Sequence, residues 1–261
     1  MNTLGPAPVD LDERTRDALA ELLLSVADDE FIIGFWDSEW TGIAPMLEED
    51  VATSSIAQDE IGHARALYEL LASVTDDDAD RIAFGRAPED YRHAALLNHA
   101  RGDWAFSVAR RWLYETADAV RLTALAGSAW EPLASLAGKM RREETYHRLH
   151  VDTWLRRLAD GPTEVRARLT GALERLWPDA QEIFAPLAGE EELVRLGLLP
   201  EPMRALHASW LSQSRPILAL VAPDLPAAAP SIDGRIRRTD DFAWLHGEFT
   251  MVARSEEGAS W

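Results

Sequence analysis

Two short stretches of the chain combine residue types that bind cations: Asp59-Glu60-Ile61-Gly62-His63 and Glu143-Glu144-Thr145-Tyr146-His147. Each contains Glu-x-x-His. On a helix, residues three apart share a face, so this carboxylate and imidazole can hold one ion together. Oxygen and nitrogen donors of this kind suit iron, manganese or zinc. Two such pairs, with one glutamate from each of two further helices, form the ligand set of a two-metal carboxylate centre in a four-helix bundle. A lone Glu-x-x-His in a glutamate-rich helical chain is usually only a solvated pair. Two copies call for a search for the other two glutamates.

The spacing supplies them. Glu30 stands thirty residues before Glu60, and the midpoint of that pair is Pro45. Glu115 stands twenty-nine residues before Glu144, with its midpoint near Trp130. In an antiparallel helical hairpin, residues equidistant from the turn sit at the same height, because each helix rises about 1.5 Å per residue. Asp28, Asp29 and Glu39 compete with Glu30 for its role, and Asp103 and Asp118 compete with Glu115. Apolar neighbours surround the leading candidates: Phe31, Ile32, Ile33 and Phe35 about Glu30, and Trp112, Leu113 and Tyr114 before Glu115. An ionised carboxylate in such company costs on the order of several kcal/mol unless it is paired or bound to metal. Asp59 and Glu143 directly precede the two ligand glutamates. They are candidates to accept the distal N–H of a ligand histidine and fix its tautomer.

The elements that must position these residues are all helical. Long segments rich in Ala, Leu, Glu and Arg are good helix formers, and Gly and Pro gather at boundaries. The first helix is predicted from about Asp12 to Glu39, capped by Asp10 or Asp12 and ended by Thr41-Gly42. Pro45 then sits just inside the start of the next, which runs from about Met46 to Val74. An acidic loop follows at Asp76 to Asp80, then an irregular stretch from Ile82 to Tyr91. The third and fourth helices span about Asp103 to Ala126 and Leu133 to Leu158, the latter stopping at Asp160-Gly161-Pro162. Thr163 to Phe184 and Met203 to Val221 are helices flanking an acidic patch at Glu190 to Glu192. Pro223 to Pro230 reads as a linker, and a last helix covers about Asp241 to Arg254. The expectation is an all-α fold: an antiparallel four-helix bundle over about 12–160, with flanking helices over about 163–254, in one domain of 261 residues.

Composition narrows the function. The chain has no cysteine, which excludes disulfides, thiolate metal sites, iron–sulfur clusters and a cysteine nucleophile, and fits a cytoplasmic protein. The formal net charge of −19 repels nucleic acid and anionic lipid. No run of about 18 apolar residues is present to span a membrane, and the start, Met1 to Pro8, does not read as a signal peptide. His93, His99, His150, His207 and His246 read as surface or polar-network residues, with His150 placed one step beyond His147 for a supporting role. Arg141-Arg142 and Arg156-Arg157 read as solvated faces. Arg235, Arg237 and Arg238 form a basic cluster suited to a phosphate, a partner protein or plain surface. The ten tryptophans are candidates for core or interface anchors, core being the expectation for most of them.

With these residues in view, the chain resembles the phenylacetic acid catabolic protein family, and within it the C-type members most. The similarity runs through Gly34 to Pro45, with Glu39-Trp40 and Ala44-Pro45, and Asp59 to Arg65, with Gly62-x-Ala64-Arg65. It continues through Ala109-Arg110, Glu143 with Tyr146-His147, Trp154-Leu155 to Gly161, Leu176-Trp177, and Arg238 to the closing Trp261. The resemblance implies a ferritin-like bundle and a component of a bacterial multicomponent monooxygenase. That complex epoxidises the ring of phenylacetyl-coenzyme A using O2 and electrons from a reductase. It implies two iron ions, or manganese, held by Glu30, Glu60, His63, Glu115, Glu144 and His147. The implied partners are a catalytic, ferritin-like A-type protein, a reductase, small accessory proteins and a coenzyme A thioester substrate, with a homodimer when the chain is alone. C-type members act as structural partners and often lack part of the ligand set. This chain keeps Glu30, Glu60, His63 and Glu144, which a purely structural member does not need. The rival readings are a scaffold without metal and a ferritin-like iron or manganese protein outside this pathway.

Overall fold

Asp12 opens the first helix: its carboxylate accepts from the Thr15 backbone N–H at 2.8 Å, answering one of the donors a helix start leaves unpaired. The computed structural model describes residues 11–255, so the alternative cap Asp10, the Met1 to Pro8 start and the closing Trp261 lie outside it. Helix α1 (Glu13–Ser38) turns at residues 39–46 into α2 (Leu47–Thr75), and the two pack along each other. Pro45 lies just ahead of α2 rather than inside it, because Met46 takes the extended cap position. Helices α4 (Trp104–Leu125) and α5 (Glu131–Ala159) form the second hairpin.

Burial patterns follow from each helix's place. In α2 the buried residues are Thr53, Ile56, Ala57, Glu60, His63, Ala64, Leu67, Leu70, Leu71 and Val74 among others. In α5 they are Leu133, Ala137, Met140, Glu144, His147, Val151, Trp154, Leu155 and Leu158. Both are single stripes at helical spacing, facing one core. Glu60, His63, Glu144 and His147 lie within these stripes, so the apolar residues above and below them aim them inward. Helices α1 and α4 are instead buried almost all round. They carry a second layer outside the bundle: α6 (Thr163–Ala180) and α8 (Met203–Val221) cover α4, while α9 (Asp240–Ser255) lies on α1. Trp210 of α8 is fully buried, donates to Thr116 Oγ1 at 2.8 Å and stacks on Trp177 of α6. Phe249 of α9 packs its ring 5.1 Å from that of Phe31.

Gly34 sets how closely the first hairpin packs. A Cβ there would stand 2.9 Å from Ile61 Cγ1 and 3.1 Å from the Ala57 carbonyl, so α1 and α2 approach closely about one turn from Glu30.

The structure departs from the sequence expectations in several places. Asp76 ends α2 at φ 56°, and Asp78 caps a short helix α3 (Ala79–Phe84) by accepting from Arg81 N at 2.9 Å, so the acidic loop and the start of the irregular stretch contain a helix. The predicted helix to Phe184 is α only to Ala180, just past Pro178, and Gln181–Phe184 tightens to a 3₁₀ turn. Gly189 at φ 76° starts a short helix α7 (Glu190–Arg195) within the acidic patch. Residues 223–230 take no helix but lie along α6, with Trp177 Nε1 donating to the Pro226 carbonyl at 2.8 Å. The fold is all-α, and no strand occurs among the described residues. Among them, too, no helix is long and apolar enough to cross a membrane.

The basic cluster near the C-terminus is corrected. Arg235 is buried and bonds Asp29 from both terminal nitrogens, at 3.1 and 3.0 Å. Arg238 is turned onto backbone carbonyls at Pro88, Tyr91 and Arg235. Arg237 remains exposed, paired with Asp179 at 3.1 Å. Two of the three arginines are therefore committed to partners within this chain, Arg235 in the interior and Arg238 half-buried at its edge.

Candidate metal centre

The two hairpins bring four glutamates and two histidines together in the core, one glutamate from each of α1, α2, α4 and α5. Glu30, Glu60, His63 and Glu144 form one set of donors, and Glu60, Glu115, Glu144 and His147 a second, the donor atoms of each set lying within 4.8 Å of one another. His63 Nδ1 faces the first set, 3.3 Å from Glu30 Oε2, 3.2 Å from Glu144 Oε1 and 4.0 Å from Glu60 Oε2. His147 Nδ1 faces the second, 3.1 Å from Glu144 Oε2, 3.3 Å from Glu60 Oε1 and 3.9 Å from Glu115 Oε1. Glu60 and Glu144 thus turn one oxygen to each set, the arrangement required of carboxylates that bridge two ions.

The competing acids lie elsewhere. Asp28 bonds Tyr68 and Arg86; Asp29 bonds Arg121 and Arg235. Asp103 caps α4, Asp118 pairs with Arg121, and Glu39 lies 4.0 Å from Arg101. Asp59 and Glu143 do meet the histidines, but crosswise. His63 Nε2 is 2.9 Å from Glu143 Oε2, and His147 Nε2 is 3.2 Å from Asp59 Oδ2. Each motif supplies the carboxylate that orients the other motif's ring. His150 turns away, to Glu49 Oε2 at 2.7 Å. Of the other histidines, His93 is fully buried, with Nε2 2.9 Å from Asn98 Oδ1, and His246 is nearly so, against the Arg86 carbonyl.

The electrostatics are those of a site packed with more negative charge than it can bear unaided. Burial and the charge of Glu60 push Glu30 well above the usual carboxylate range; burial and Glu144 do the same to Glu115. Burial also works against ionised Glu60, but the Arg111 charge together with Glu30 and His147 outweighs it and holds Glu60 well down. For the histidines, burial opposes the proton, yet the carboxylates of Glu144 and Glu30 beside Nδ1 push His63 up to about 12. Glu144 and Glu60 push His147 up to about 12 as well. Even so, Glu60 Oε2 is buried without a hydrogen-bond partner, and Glu144 Oε1 is answered only by the ion-pair contact of His63 Nδ1 at 3.2 Å. Native cores rarely leave such atoms unanswered. A cation between Glu30, Glu60, His63 and Glu144 answers both, and hard oxygen with imidazole nitrogen is the donor set iron or manganese takes.

Three more residues shape the centre, and the sequence reading missed them. Arg111, one turn before Glu115, donates from Nη1 to Glu60 Oε1 and, at 2.8 Å, to Glu115 Oε1, while its Nη2 donates to Asp37. Asp37 is itself buried. Tyr114 donates to Glu30 Oε1 at 2.6 Å. The available signal was Arg110-Arg111 inside a run from Ala105 to Leu113 that is otherwise apolar but for Ser107: charges there must be buried and therefore paired. Beside Arg111 and Asp37 opens a small cleft of about 30 Å³, lined by Trp40, Trp104, Trp154 and Ile56.

Two antiparallel hairpins with Glu-x-x-His pairs turned into a shared core define a ferritin-like bundle. Within that class the chain belongs to the phenylacetic acid catabolic protein family, whose model matches residues 1–261. It is 28% identical over 193 residues to the C component of the 1,2-phenylacetyl-CoA epoxidase of Escherichia coli (strain K12), covering 74% of this chain and 77% of that one. It is 27% identical over 153 residues to the A component of that epoxidase, covering 58% of this chain and 48% of the relative.

Proposed function

We propose that this chain is one component of a multicomponent monooxygenase that epoxidises the ring of phenylacetyl-coenzyme A, standing as the C-type partner of a catalytic A-type protein while holding a metal pair of its own. Similarity to the C component of the epoxidase over most of both chains supports the complex and the place within it. The observation that carries the metal reading is Glu60 Oε2, buried without a hydrogen-bond partner, beside Glu144 Oε1, which meets only His63 Nδ1, in a core that otherwise satisfies most of its carboxylates.

In this reading two iron ions, or manganese, which the same donors fit, would be held by Glu30, Glu60, His63, Glu115, Glu144 and His147, with Glu60 and Glu144 common to both donor sets. Bound iron supplies the oxygen chemistry of such a centre. The chain's own residues do the rest. Glu143 and Asp59 hold the Nε2 protons so that each Nδ1 lone pair faces inward. Tyr114 steadies Glu30 through its hydroxyl. The stripes above and below the ligands exclude water. Four carboxylates would balance two divalent cations, so the six-residue donor set would be neutral with both bound. The further partners of the complex are a reductase, small accessory proteins and the coenzyme A thioester; the setting is cytoplasmic, and the chain alone forms a homodimer. The flanking helices belong to one domain with the bundle.

A second reading, a scaffold without metal, draws support from Arg111. Its guanidinium compensates Glu60 and Glu115 with no ion present. The test of the main reading is reconstitution with an A-type protein, reductase, O2 and phenylacetyl-coenzyme A. Coelution with the A-type protein and formation of the ring epoxide are expected. A chain that neither coelutes with that protein nor supports product contradicts the assignment.

A further inference from the structure

The two donor sets are not equivalent, and Arg111 makes the difference. In the first set, Glu60 Oε2 has no hydrogen-bond partner and Glu144 Oε1 meets only the ligand ring of His63, at 3.2 Å. In the second, Glu60 Oε1 and Glu115 Oε1 are both already bonded by Arg111 Nη1. A guanidinium nitrogen therefore stands where a second cation needs those same oxygens. The group is buried and stays charged at any ordinary pH. A divalent ion beside it meets direct repulsion, little screened at that depth. Its other terminal nitrogen is anchored on Asp37, which belongs to neither donor set. Both residues line the tryptophan cleft, a narrow space of about 30 Å³, so the side chain draws back only as the cleft widens, keeping Asp37 as its ionic partner.

We propose that Arg111 is a built-in counter-cation that holds the second metal position closed: the centre takes one divalent ion readily, and a second only when the guanidinium withdraws toward Asp37 and the cleft. This inference rests on the reading of the six residues as a metal centre. The first ion sits among Glu30, Glu60, His63 and Glu144. The second position, among Glu60, Glu115, Glu144 and His147, opens by movement of a side chain this chain supplies. Whatever fills or reshapes the Trp40, Trp104 and Trp154 cleft then governs whether the centre holds one ion or two.

The test is an anaerobic titration of the metal-free chain with Mn²⁺ alone, read by calorimetric stoichiometry and electron paramagnetic resonance. Wild type, Arg111→Gln and Arg111→Lys are compared, each checked for helical content. Wild type is expected to bind about one ion tightly and to show the signal of an isolated Mn²⁺. In Arg111→Gln the second ion binds about tenfold or more tighter than in wild type and the spectrum becomes that of a coupled pair. Arg111→Lys, which keeps the charge, stays near one ion. Two equally tight ions in wild type overturn the inference even if a variant fails to fold. So does an Arg111→Gln protein that folds and still binds one. Absence of binding in every folded sample overturns the metal-centre reading itself, which is a different result from a wild type that binds two.

Discussion

His63 and His147 sit in the metal-free core as protonated rings, both pushed up to about 12 by the carboxylates around them. The sign follows from the ordinary value of 6.5. A histidine whose folded value is raised stabilises the fold fully below 6.5, and that contribution drains away as pH climbs toward the folded value. Metal binding needs the same nitrogens bare, so loading the centre must expel protons. Calorimetry of metal binding in two buffers of different ionisation enthalpy should show net proton release and an affinity that rises with pH between about 6 and 8; buffer-independent heats contradict this. The crossed carboxylates give a milder test. Glu143→Gln removes the acceptor that orients His63 and should weaken metal binding by roughly 10-fold to 100-fold, less than loss of a ligand. At this scale the sequence was legible where spacing carries the information. Glu30 and Glu115 stand level with their partners because hairpin arithmetic puts them there. Spacing along one hairpin says nothing about contacts between hairpins, so the crossed pairing and the reach of Arg111 to Glu60 lay out of sight.

At the scale of elements, the inward stripes of α2 and α5 were readable residue by residue, since an apolar face at helical spacing has one way to turn. Short helices were less so. α3 depends on a single cap, Asp78, in a run of neighbouring aspartates, any of which could have served. The closeness of α1 and α2 depends on Gly34. Gly34→Val forces a side chain against Ile61 and the Ala57 carbonyl. It should cost about 1–3 kcal/mol in chemical denaturation and weaken metal binding by shifting Glu60 relative to Glu30; unchanged stability and unchanged binding would contradict the packing account. The connection between α3 and α4 holds another lever. Burial, with the charge of Arg238, depresses His93 well below 6.5. A histidine kept neutral in the fold loses stability as pH falls below the unfolded value, because the unfolded chain takes up the proton that the folded one refuses. Wild type should lose up to about 1.4 kcal/mol per pH unit more than His93→Gln between about pH 6 and 5. Parallel pH curves would remove His93 from the account.

The molecule as a whole keeps a charged interior under a covering layer of helices. Asp29 of α1 takes Arg121 from α4 and Arg235 from the C-terminal segment, so one buried carboxylate ties the bundle to the chain beyond it. Arg235→Ala leaves Asp29 half-compensated and should cost on the order of 3–5 kcal/mol, measured by denaturant unfolding. A surface arginine would cost almost nothing. The sequence put Arg235 in a basic cluster for a phosphate, a partner protein or plain surface, because neighbouring arginines look alike. Nothing local tells which of them faces Asp29, far earlier in the chain. Membership of the family, by contrast, was visible from motif order, and the bundle with it.

The central claim is that the core of this bundle holds metal. Elemental analysis of the chain purified alone from iron-supplemented cells, beside Glu60→Ala/Glu144→Ala, tests it most directly. The account predicts at least one iron per wild-type chain and none in the double variant, with both folded. A folded wild type without metal, or equal metal in both proteins, contradicts it.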